Sequence, residues 1–142
     1  MEVSEVRKRV LQTVDRARRA AADRRALADE ATGEYQLFLD RIAVPLFRQV
    51  ANILRAEKHP FSVATPGSGV RLMSDRSTVD YVELTLDTAG TRPQVIAHVS
   101  RGWGQRVLES ETAIGDGGPV RSLTEEDVLA VVLKAIEPFV ER

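Results

Sequence analysis

The chain has no cysteine, which excludes a disulfide framework, thiolate nucleophiles and zinc–thiolate sites. Histidine is nearly absent too. His59 and His98 are the only two, and neither has carboxylates at the spacing of a metal motif or a catalytic triad. The sequence contains no GxxxxGK[ST], GxSxG, HExxH or EF-hand pattern, so no catalytic set, cofactor or metal site is expected. No apolar run approaches the ~20 residues that a membrane helix needs. Arg7, Lys8 and Arg9 interrupt the N-terminus before the apolar segment of a signal peptide can form. A cytoplasmic protein without membrane contact is therefore expected. The net charge of −1 gives no global field toward nucleic acid or anionic lipid.

What the chain does have is pattern. Its 142 residues, 43% hydrophobic and 29% charged, suit one globular domain, with or without an extension. Up to His59-Pro60 the apolar residues recur in steps of mostly three and four, through Val10, Val14, Ala17, Ala21, Ala28, Ala31, Tyr35, Phe38, Ile42, Leu46, Val50 and Leu54. That is the period of an amphipathic helix. Beyond Pro60 they alternate by two, the period of half-buried strands. The two patterns together predict an α+β fold: a long N-terminal helical arm, a five-stranded antiparallel meander, and a C-terminal helix packed on one sheet face.

The arm admits two geometries. Glycine weakens a helix interior by about 1 kcal/mol relative to alanine, and threonine caps helix starts. Thr32-Gly33 is thus the natural place for a break, giving a helical hairpin. Alternatively the arm runs on as one kinked helix, about 80 Å long at ~1.5 Å per residue, with Pro45 bending or restarting it near Val44. The apolar stripe changes from small residues to bulky ones near the same point. This suggests a dimerisation segment over 1–32 and an α+β domain over 33–142.

The predicted strands are 61–65, 70–74, 79–87, 94–101 and 105–114, joined by turn-length loops rich in Gly, Pro, Asp and Ser. Alternation puts Val95, Ala97 and Val99 inside, with Ile96 and His98 outside. Ser122–Glu125 reads as a capping box, with Thr124 as the competing cap. The helix that follows, to about 140, is apolar over a wide face.

Three features bear on function. First, Val10, Val14, Ala17, Ala21 and Ala28 form a seam suited to close helix–helix packing of the coiled-coil kind. The expected outcome is a homodimer, with a protein partner in addition. Second, residues 6–25 hold eight bases and two acids. Lys8, Arg9, Arg16 and Arg19 lie opposite the seam, as a phosphate-binding face requires. The bland reading is a solvated face, because Glu5–Arg9, Asp15–Arg19, Arg19–Asp23 and Arg25–Asp29 are spaced for weak ion pairs. Third, Arg101, Trp103 and Arg106, with Arg92 and His98 as possible neighbours, gather around a tryptophan between two glycines. Its ring either stands free to stack on a base or a partner's pocket, or folds back over the sheet.

The leading expectation is a non-enzymatic assembly or accessory module that self-associates through its N-terminal helix. The alternative is a nucleic-acid-binding protein using the basic face of 6–25. An enzyme would have to rely on carboxylates outside any motif, such as Asp75, Asp80 or Glu83. In topology alone, helix–sheet–helix resembles small bacterial nucleoid-associated dimers, and no motif carries that resemblance onto particular residues.

Overall fold

The computed structural model describes residues 1–141. A helical segment of three parts leads the chain: α1 (Val3–Phe38), a π turn (Leu39–Ala43) and α2 (Val44–Ala56). Strands β1 (Phe61–Ala64), β2 (Val70–Ser74), β3 (Tyr81–Asp87), β4 (Gln94–Trp103) and β5 (Arg106–Ala113) follow. A short 3-10 turn (Val120–Ser122) then leads into α3 (Glu125–Val140). The α+β architecture read from the sequence is the one observed.

The break expected at Thr32-Gly33 does not occur. The helix passes through both residues, and Thr32 Oγ1 donates to the Ala28 carbonyl at 2.8 Å rather than capping a new helix. A hydroxyl turned back onto the preceding turn is compatible with helix, and one glycine is a small penalty across 36 residues. The hairpin geometry is therefore replaced by a continuous rod. Its irregularity lies where Pro45 requires it. Proline supplies no N–H, and the chain widens by one residue per turn just before it. The Val44 N–H bonds to the Leu39 carbonyl five residues back. Pro45 then occupies the first turn of α2, where a missing donor is harmless.

The end of α2 explains the switch to strand. The His59 N–H bonds to Leu54 O at 2.8 Å and the Lys58 N–H to Arg55 O at 3.1 Å, with Lys58 at a φ of 68°. This left-handed cap closes the last turn. Pro60 then forces extended backbone onto His59.

The sheet is an antiparallel meander in the order β1-β2-β3-β4-β5. The register pairs Val63 with Leu72, Leu72 with Val82, Leu84 with Ala97 and Ala97 with Thr112, so these side chains share one face. Across β1–β4 that face is the core: Phe61, Val70, Leu72, Val82, Leu84, Val95 and Ala97 are buried. α2 covers β1 and β2, whereas α3 covers β3 and β4. Neither reaches far enough to bury β5, whose residues are all exposed. Thr124, not Ser122, caps α3. Its hydroxyl accepts from the Asp127 N–H at 3.2 Å, and its own N–H donates to the Asp127 carboxylate at 2.9 Å.

The arm and its candidate interaction surface

Within α1 the burial changes sharply. Ala31, Tyr35 and Phe38 are buried, whereas Val3, Val6, Val10, Leu11 and Leu27 are exposed although apolar. Of the seam residues, Val10 is 54% exposed, Ala17 is exposed, and Val14, Ala21 and Ala28 are half-buried. The seam lies in phase with the buried residues further along the same helix. One continuous face thus serves as core downstream of Ala31 and faces solvent upstream of it.

The junction is held by two devices. Tyr35 reaches the sheet, its hydroxyl donating to Leu84 O at 3.2 Å. Burial, and then the nearby Glu83 carboxylate, push the Tyr35 phenol well above the usual tyrosine range. On the other flank Glu34 accepts from the Arg121 backbone N–H at 3.3 Å, and the Arg121 guanidinium lies 3.5 Å from both Glu30 and Glu34. This latch joins the arm root to the 3-10 turn. Beside it opens a cleft of about 420 Å³, lined by the apolar Leu27, Ala31, Pro93, Pro119 and Val120 together with the charged Glu30, Glu34, Arg92 and Arg121.

Lys8, Arg9, Arg16 and Arg19 are all exposed. Among the described residues, Glu5–Arg9 at 3.1 Å is the one expected pair that forms along this face. Arg16 donates to the Thr13 hydroxyl at 3.4 Å. Arg101, Trp103 and Arg106 are brought together at the β4–β5 hairpin end. The Arg101 guanidinium sits 5.4 Å from the Trp103 ring centre, Trp103 is register-paired with Arg106, and Trp103 is 63% exposed. Arg92 does not join them. It lies at the far end of β4, where it donates to the Gly117 carbonyl at 3.4 Å. His98 points to the other sheet face.

That outer face holds a row that sequence reasoning did not assemble. Arg71 pairs with Glu83 at 3.1 Å and stacks over Tyr81 at 4.1 Å. Tyr81 stacks on His98 at 5.9 Å, and His98 meets Glu111 at 3.2 Å. Alternation alone puts each of these outside; only the register aligns them across strands. The carboxylates named as candidates for unmotifed chemistry are engaged separately. Asp75 pairs with Arg55 at 3.4 Å, Glu83 with Arg71, and Asp80, which is buried, accepts from the Gly102 N–H at 2.8 Å.

Compared with protein-family models, with curated proteins and with solved structures, the chain finds no significant match in any of the three. Among the described residues no helix is long and apolar enough to cross a membrane.

Proposed function

We propose that this chain is a non-enzymatic assembly module that self-associates through its N-terminal helical arm and presents its α+β body to a protein partner. One observation carries the reading: a helix continuous from the core projects a solvent-facing apolar seam in phase with its own buried face. An isolated helix takes most of its stability from packing of that kind of face, and a second helix supplies the packing that the body does not. Sedimentation at micromolar concentration tests it. A dimer is expected, and replacing Ala17 and Ala21 with Glu should return it to a monomer whose α+β body stays folded. A compact monomer for the unaltered chain would sink the reading.

A second reading, nucleic-acid binding through Lys8, Arg9, Arg16 and Arg19, is favoured by how little of this face is neutralised within the chain. Phosphate contacts release counterions, so binding should weaken steeply with salt. A mobility shift at low and high salt measures this. Arg16→Glu with Arg19→Glu should abolish the shift, and indifference to that change removes the idea.

A further inference from the structure

Steps of four and three starting at Val3 pass through Arg7, Val10, Val14, Ala17, Ala21, Arg24 and Ala28 to Ala31. A mean step of 3.5 residues is the period of a left-handed coiled coil. Size is distributed unevenly along this seam. Its N-terminal half is valine at positions 3, 10 and 14, and its C-terminal half is alanine at 17, 21 and 28. Helix separation follows the side chains at the contact. Two arms in parallel would set valine on valine at one end and alanine on alanine at the other, forcing the helices to diverge. Two arms in antiparallel, related by a two-fold axis between Val14 and Ala17, set Val14 level with Ala17, Val10 with Ala21 and Val3 with Ala28. Each layer then combines one large and one small residue at an even separation.

The area available is that of a small specific interface. The exposed arm, residues 3–30, is about 42 Å long, and a strip ~10–12 Å wide gives roughly 500 Å² per arm. Two such strips reach about 1,000 Å², the lower limit for a specific interface. The same axis brings the apolar tip, with Met1 88% and Val3 85% exposed, to the arm root of the other copy, where the cleft of about 420 Å³ opens. Filling two such clefts carries the interface above that limit.

We infer that two copies of this chain pair their arms antiparallel, with each N-terminal tip seated in the cleft at the other copy's arm root. The inference rests on arm-mediated self-association and adds its orientation and its end point.

The absence of cysteine makes introduced thiols unambiguous reporters. A chain carrying Val3→Cys and a chain carrying Ala28→Cys are oxidised separately and after co-refolding. An interchain disulfide joining one of each, formed only in the mixture, is the expected result. Disulfide-linked dimers of either variant alone mean parallel arms, which overturns the inference but leaves arm-mediated dimerisation standing. A sedimenting dimer without any cross-link places the interface elsewhere and overturns both, as does a monomer. Orientation is read again through Arg7 and Arg24, the two polar seam positions, which share one layer in the antiparallel pair. Arg24→Glu should tighten the dimer at least about five-fold by setting a carboxylate beside Arg7 twice, and adding Arg7→Glu should reverse the gain. An unchanged Kd for Arg24→Glu contradicts the shared layer. Pro119→Glu, at the exposed lip of the cleft and away from the seam, should weaken the dimer at least about five-fold. An unaltered Kd removes the seating of the tip.

Discussion

Residues 3–30 and residues 31–38 belong to one helix and share one apolar phase, yet they meet opposite surroundings. Downstream, Ala31, Tyr35 and Phe38 are buried, and the same rod continues through the π turn to Phe47, which is fully buried. Upstream, Val10 and Leu11 are each about half exposed. The exposed region is the better helix former, rich in Ala, Arg and Leu where the buried one holds Thr32, Gly33, Tyr35 and Phe38, so propensity does not explain which of them packs. The difference is one of what lies alongside. In the body, α1 meets the sheet and the 3-10 turn; in the arm it meets solvent. The same helix face is core on one side of Ala31 and bare on the other, and that comparison yields sharp tests.

The largest contrast is between truncations on the two sides. Phe47→Ala opens a cavity in the packed body and should lower stability by about 3–5 kcal/mol. Val10→Ala should leave the monomer within about 0.5 kcal/mol, while weakening any dimer. Urea denaturation measured at two protein concentrations separates these effects. A concentration-independent loss of 2 kcal/mol or more (about the size of a core truncation) for Val10→Ala would show that the arm packs on its own body, erasing the distinction between the regions.

How far the sequence disclosed this division is itself a matter of physical range. The helix-to-strand switch was legible because Pro60 and the change of period are local, and the meander followed from alternation plus short turns. That Val10, Val14, Ala17, Ala21 and Ala28 share one face of a helix was legible for the same reason. Of the two geometries left open, the break at Thr32-Gly33 is the one that does not form, because a glycine penalty of about 1 kcal/mol is small against the propagation of a long helix, and because the Thr32 hydroxyl has the Ala28 carbonyl available as an acceptor. The latch was not legible at all. Glu34 and Arg121 are 87 residues apart, and nothing in the local pattern of either marks the other. The cleft that the latch borders was invisible for the same reason.

Tyr35 sits at the boundary and sharpens the comparison from the body side. Its hydroxyl donates to Leu84 O, and Tyr35→Phe should cost about 1 kcal/mol at neutral pH. Because burial raises the phenol above its ordinary value, the folded state keeps this proton to a higher pH than the unfolded chain, which releases it near 10. From about pH 10 upward, until the folded phenol itself ionises, the unfolded state binds fewer protons and stability falls. The variant should therefore show a shallower alkaline decline than the parent. Urea midpoints at pH 7 and pH 11 check both halves of the expectation, and parallel declines would mean that Tyr35 is not buried at the junction.

The smallest expected effect bears most directly on whether arm and body are one rod. At Gly33 the helix is regular, and a methyl group added there would meet nothing within 4 Å. Gly33→Ala should then stabilise the chain by roughly 0.5–1 kcal/mol, through the restricted unfolded backbone and the better helix former. Were the chain to fold back at Gly33, that residue would occupy a turn conformation favouring glycine, and alanine would destabilise instead. The sign of one small change in the urea midpoint thus distinguishes a seam carried away from the body from a seam folded onto it. Only the first leaves residues 3–30 with a face for a second copy to cover.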